Sequence, residues 1–558
     1  MKKNPTFSPG LRRAAVSLAL SALILLLTSC RPTEESSTAA RSATPQNGGS
    51  VAIAWSNDIA GVNETIVPSS NATNDVLFQI FDHLVEEQPD FTEHAPTLAP
   101  QLAKSWEASE DRKSITFHLE EKAVWSDGVP MTAEDVRFSW QAQSSPDVGY
   151  GDANAKRYIT DVEVVDPHTA RFHFSRAYAK QMLDANEGLI LPKHAWSALP
   201  FKEWRKSADW FRDHLVTSGP FLLASWKPQQ EIVLTKNPRY FQPGRPRLDR
   251  AVLRIVPEAT SEVAQLLAGE VDFATNPQPT DAPRIEADKK LELLAIPFRN
   301  FVFVAWNNQR EPFRDPEIRR ALTLAIDRRK IVDTLWGQYA NLAVSPILSF
   351  MWAHDKSIQG LPFDPAEARK ILAAKGFKDT DGDGVIERNG KPFRFELTTN
   401  AGNQQRVDST VMIQAQLAAV GIAAVPRIVE FNALSAKLDE GDYDSVIIGL
   451  GMDTSLDLTT LLHSRSIGNG NNLARYSNPE VDRLIDEAAG VPSVDAMVPR
   501  VRQIERILEH DQPATFLWES KRLMGLNRRI RDAKPSPIFM LWNLRDWWVE
   551  PAPAAARR

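Results

Sequence analysis

The stretch that most narrows what this chain can fold into runs from Ser114 to Trp140. Ile115, Phe117 and Leu119 alternate with polar residues, the period-two pattern of a half-buried strand. Asp127-Gly128 follows, and both residues tolerate the positive φ of a sharp turn. Thr132 with Asp135 three residues later predicts a capping box, in which each side chain satisfies an orphan N–H at a helix start. Val136 and Trp140 then share one helical face. A strand, a turn and a helix in so short a stretch predict a mixed α/β protein. Turn and cap chemistry accounts for every feature, so the stretch is structural and supplies no catalytic group.

The same punctuation recurs along the chain. Val51–Trp55 predicts a buried strand, and Asp75–Glu86 a helix with Val76, Ile80 and Leu84 on one face. Strands at Asp161–Val165 and Ala170–Phe174 flank the turn Asp166-Pro167-His168. Phe301–Trp306 reads as a buried strand. Asp315 caps a helix with Pro316 at its first position, burying Ile318, Leu322 and Ala325, and Asp327-Arg328-Arg329 is expected to be its solvated end. Asp364-Pro365 and Asn478-Pro479 open helices that Gly376 and Gly490 stop. At 558 residues the chain exceeds one ordinary core, so two or three domains are expected.

One strongly apolar run stands apart. Lys2, Lys3, Arg12 and Arg13 precede Ala14–Leu27, which is too short for an ordinary membrane span and suits a signal-peptide core. It ends Leu27-Thr28-Ser29-Cys30, which resembles a bacterial lipobox and implies removal of residues 1–29 and a diacylglycerol on Cys30. Cys30 is the only cysteine of the chain, so no buried core thiol competes for that reading. Residues 30–49 then form a lipidated, flexible tether rich in Ser, Thr, Ala, Pro and Gly. Loss of four basic and no acidic side chains takes the formal charge from −6 to −10, which argues against a nucleic-acid partner.

Leu98-Ala99-Pro100-Gln101-Leu102-Ala103-Lys104-Ser105-Trp106-Glu107, read with Trp125–Trp140, resembles the signature of family 5 extracellular solute-binding proteins, the peptide- and nickel-binding receptors of ABC importers. Ser218-Gly219-Pro220-Phe221, Asn237–Phe241, Gly269-Glu270-Val271-Asp272 and Pro312–Leu322 extend the resemblance over residues 50–550. It implies a periplasmic-binding-protein-like fold of the class C type: two α/β lobes with mixed sheets, a two-stranded hinge, an extra domain and a ligand cleft between the lobes. Domain I would comprise residues 50–85, 195–298 and 515–550, the extra domain II residues 86–194, and domain III residues 299–514. The implied function is capture of a solute, foremost a peptide, by cleft closure, and delivery to permease subunits with their ATPase. The protein would be a monomer on the periplasmic or extracytoplasmic face, anchored through Cys30.

The site residues follow from the same resemblance. Val446–Leu450 reads as a buried strand, so Asp453 emerges past its C-terminal end, where α/β sheets place ligand groups. Peptide-binding members hold the ligand's α-ammonium with an aspartate there; Asp453 matches best and Asp457 is the alternative. Arg406 stands where some members bind the ligand carboxylate, and Trp306 and Trp55, at strand ends, are expected to line the cleft. Asp379-Thr380-Asp381-Gly382-Asp383-Gly384 suggests a calcium loop, but Gly390 replaces the bidentate glutamate of an EF-hand, so a surface turn is expected. With no zinc-ligand spacing, phosphate loop or Gly-x-Ser-x-Gly turn, neither metal, cofactor nor enzyme chemistry is expected. The same receptor role for a sugar, metal chelate or other solute stays open, as does a secreted lipoprotein hydrolase, chaperone or sensor.

Overall fold

The computed structural model describes residues 44–550, so the signal segment and Cys30 lie outside the described residues. The stretch around Asp127 forms as its chemistry dictates. Ser114–Leu119 is a strand, Gly128 takes φ +95°, and Thr132 caps the helix Ala133–Ser144 through a capping box with Asp135. That strand sits in a four-stranded sheet with Ala103–Ala108, Thr169–Phe174 and Ile159–Asp166.

A second, eleven-stranded sheet runs through both lobes. In the first lobe Ser50–Trp55 lies parallel to Arg250–Ile255 and to Phe273–Ala274. In the second, Arg394–Asn400 lies parallel to Ala423–Val429 and to Ser445–Gly451. Two long antiparallel strands, Leu291–Trp306 and Ala514–Asn527, join the halves. Their pairing register breaks between Pro297 and Phe301, the place where the strands pass from one lobe to the other. In Phe301–Trp306, Phe301, Phe303 and Ala305 enter one hydrophobic cluster while Val302, Val304 and Trp306 enter another. Alternation on a sheet buried on both faces explains the unbroken apolar run. Val51, Trp55, Phe117 and Phe172 belong to one continuous cluster, so the four-stranded sheet is packed onto the first lobe.

Two expectations are corrected. The helix placed at 75–86 spans Asn71–Ile80, because Ser70 accepts from Thr73 N and caps it early; Val85–Glu87 is a short strand paired with Leu98–Pro100. Asp327-Arg328-Arg329 is no solvated end. Asp327 caps a new helix, Arg328–Leu335, and Arg328 is buried, donating to the Phe516 and Leu361 carbonyls. Backbone carbonyls, invisible as a charge pattern, satisfy its guanidinium.

Candidate functional site

A cavity of about 590 Å³ opens where the first lobe, the four-stranded-sheet domain and the second lobe meet. The lobes touch around it. Thr454 Oγ1 donates to Glu87 Oε1 at 2.7 Å, Lys180 Nζ lies 3.1 Å from Asp457 Oδ2, and Ala95 N donates to Asp495 Oδ1 at 3.0 Å. Each bond joins the second lobe to an earlier part of the chain.

Asp453 and Asp457 both line the cavity, just past the strand Ser445–Gly451, but their surroundings differ. Asp453 is exposed and accepts only from its own loop, from Ser455 N at 2.9 Å and Ser455 Oγ at 2.5 Å. Asp457 accepts from Thr459 N at 3.0 Å, starting the short helix Thr459–Leu462, and its other oxygen holds Lys180. Burial alone would raise the Asp457 carboxyl; the Lys180 ammonium and the Thr459 donors hold it below the usual carboxylate range. Asp453 thus has no cationic partner among the described residues, whereas Asp457 is paired with Lys180.

The other sequence-derived site residues lie off this cavity. Trp306 is fully buried and donates from Nε1 to Thr515 Oγ1 at 3.0 Å, and Trp55 is buried in the first-lobe core. Both are strand-end residues whose indoles fill cores rather than face the cleft. Arg406 is half-buried near the start of the helix Gln404–Ala418, its Nε without a hydrogen-bond partner, and it is not among the cavity's lining residues. The tryptophan that does line the cavity is Trp542, beside Phe539, whose ring meets Phe78 edge-on at 4.4 Å.

Sequence reasoning missed most of the cavity's charge. Eight carboxylates line it, those of Glu64, Glu86, Glu87, Asp152, Asp184, Glu187, Asp453 and Asp457, against the cations Lys180, Arg299 and Arg545. Arg545 is committed to Glu86 at 2.6 Å. Burial raises the Glu64 carboxyl to about 8, with Glu187 and Asp152 adding to it against the Leu189 N–H and Lys156. Glu87 and Glu187 are raised by burial, and Asp152 by burial and then by the charge of Asp453. Burial lowers the Lys156 ammonium to about 8, opposed by the same carboxylates. These groups come from segments far apart in sequence, and no local motif announces them.

The Asp379 loop gathers the carboxylates of Asp379, Asp381, Asp383 and Glu387 within 4.8 Å, the fourth ligand coming from Glu387 rather than position 390. Each also accepts from loop backbone: Asp379 from Gly382 and Gly384, Asp381 from Asp383, Asp383 from Val385, Glu387 from Thr380. Those bonds account for the turn by themselves.

The profile described as "Bacterial extracellular solute-binding proteins, family 5 Middle" matches residues 97–472. The oligopeptide-binding protein AppA of Bacillus subtilis is 29% identical over 551 residues, covering 96% of this chain and 99% of that one. Heme-binding protein A of Haemophilus influenzae is 26% identical, covering 94% and 97%. The solved structure of Bacillus subtilis AppA in complex with a nonapeptide superposes with a TM-score of 0.77 at 28% identity, over 91% of this chain and all of that one. The chain belongs to the family 5 bacterial extracellular solute-binding proteins, receptors that capture a solute rather than transform it.

Proposed function

We propose that this protein is the receptor of an ABC importer that captures a peptide in the interlobe cavity, with Asp453 holding the peptide's α-ammonium. The observation that carries the reading is the contrast within one loop, where Asp457 is paired with Lys180 and Asp453, on the cavity wall, accepts only from Ser455. An ionised carboxylate in a closed cleft makes a charge-assisted hydrogen bond to an ammonium and rejects ligands that lack one. The nonapeptide in the AppA structure supports a peptide over other solutes. The heme-binding relative favours a second reading, the same receptor role for a non-peptide solute.

Closure supplies the signal to the permease. Lys180–Asp457 and Glu87–Thr454 connect the lobes when they approach, and a ligand that touches both sides stabilises that state over the open one. The closed receptor then docks on permease subunits whose ATPase drives transport. Lipidation at Cys30 keeps it at the membrane, each buried acyl CH₂ contributing roughly 0.8 kcal/mol. Cys30→Ala is expected to move the protein from the membrane fraction to the soluble one; retention in the membrane would refute the anchor.

Native mass spectrometry of freshly purified protein tests the ligand class. The expected result is a retained mass series of peptides, displaced by free-amine peptides and not by their N-acetylated forms. A single retained mass matching a porphyrin or a chelate would replace the peptide reading with the second.

A further inference from the structure

We infer that the cavity selects peptides carrying a second positive charge, with the α-ammonium at Asp453 and a lysine- or arginine-type side chain against a wall made by Asp152, Glu187 and Glu64. The inference rests on the peptide reading above and deepens it.

Two of the cavity's cations are committed within the protein. Arg545 pairs with Glu86, and Lys180 lies between Asp457 and Asp184, at 3.1 and 3.8 Å. Arg299 acts on Glu87, which also accepts from Thr454. What remains is Asp453 on the second lobe and, facing it, the group Asp152, Glu187 and Glu64. Asp152 and Asp453 line the same cavity, and the Asp453 charge adds to the rise that burial gives the Asp152 carboxyl.

One cation, Lys156, sits among that group and its charge lowers all three carboxyls, but its hydrogen bonds go elsewhere. Lys156 is buried, and its ammonium donates to the backbone carbonyls of Asp184 at 2.8 Å and Glu187 at 2.5 Å, not to a carboxylate. Glu187 accepts from Tyr150 at 3.2 Å and Glu64 from the Leu189 N–H, while the Asp152 carboxylate has no hydrogen bond among the described residues. Asp152 is exposed, while Glu64 and Glu187 are half-buried, so the three carboxylates share two neutral donors and the single charge of Lys156. Burial holds Glu64 and Glu187 toward their protonated forms, a state that a bound cation would reverse.

A separate observation points the same way. Gln79 and Gln101 also line the cavity and are only 4% and 7% exposed. Gln79 donates one amide N–H to the Asp75 carbonyl at 3.1 Å and Gln101 one to Asp82 Oδ1 at 2.9 Å. Their carbonyl oxygens take no hydrogen bond among the described residues, so each buried side chain has an acceptor, beside a second N–H, to offer. Acceptors want donors, and an ammonium or guanidinium brings three to five of them with no acceptor. A glutamine in the same place brings two donors and no charge; a glutamate brings none and adds repulsion.

The test uses the full-length chain in detergent and an equimolar set of penta-alanine peptides carrying Lys, Gln or Glu at each position in turn, with bound species read by native mass spectrometry. The expected result is at least tenfold enrichment of a Lys peptide over its Gln counterpart at one or more positions, with Glu peptides lowest. Asp152→Asn, which breaks no hydrogen bond of the fold, and Glu187→Gln should each narrow the Lys-over-Gln ratio. Equal retention of Lys and Gln peptides, with N-acetylated forms still excluded, would overturn this inference and leave the Asp453 reading standing. A Lys preference unchanged in both variants would overturn it as well. Retention of no peptide at all would bring down both.

Discussion

The two sides of the cavity solve the same electrostatic problem in opposite ways. On the second lobe, the loop after Ser445–Gly451 carries two carboxylates: Asp453 is exposed and accepts from Ser455, and Asp457 is neutralised by Lys180. On the facing side, Glu64 and Glu187 are half-buried with neutral donors and only Lys156 as a counter-charge, so burial raises both carboxyls. On the readings proposed above, the first side recognises a charge that every free peptide carries and the second rewards a charge that only some carry.

The comparison breaks most visibly at Asp453. Asp453→Ala should lower affinity for a free-amine peptide about a hundredfold or more, ~3 kcal/mol, the cost of leaving a desolvated ammonium unpaired. Titration calorimetry would read it, and the N-acetylated peptide should lose far less. Equal losses for the two would mean that Asp453 supports the loop rather than the ligand.

Lys180 gives a smaller effect of a different kind. Lys180→Met removes a bond that exists between lobes rather than to ligand, so affinity should fall roughly tenfold through a less populated closed state. Asp457→Asn added to it should cost little more, since the two side chains act as one pair. Additive losses in that double-mutant cycle would show Asp457 contacting the ligand directly and return it to the role that sequence left open.

What could be read beforehand divides along the same line. The strand, turn and helix of Ser114–Ser144, the Asp315 cap and the helix from Pro479 to its stop at Gly490 were legible because neighbours within four residues decide them. The position of Asp453 on the cavity wall was legible because it follows the strand Ser445–Gly451, whose place the apolar run betrays. Trp306 and Trp55 misled because a strand-end tryptophan can fill a core or face a cleft, and only the layer packed against it decides. Glu64, Asp152 and Glu187 gave no signal at all. They meet through the docking of the four-stranded-sheet domain on the first lobe, and spacing along the chain carries no trace of that contact.

The smallest expected effect probes the costly side directly. The Glu64 carboxyl titrates near 8 in the folded protein against an ordinary value of 4.5, with Glu187, Asp152 and Lys156 facing it. Between those values the native state holds a proton that the unfolded chain has released, so the Glu64 contribution to stability falls as pH rises from about 4.5 through about 8. Above about 8 Lys156 titrates in the opposite sense and confuses the reading. Glu64→Gln keeps an oxygen for the Leu189 N–H and removes the titration. Its melting temperature should therefore gain on the wild type by roughly a few degrees between pH 5 and pH 8, measured by scanning calorimetry without ligand. A saturating lysine-containing peptide should shrink that gain, because the bound cation stabilises the ionised Glu64 that the variant lacks. Parallel pH curves for the two proteins would mean that Glu64 is solvated after all, and the contrast between the two sides of the cavity would reduce to Asp453 alone.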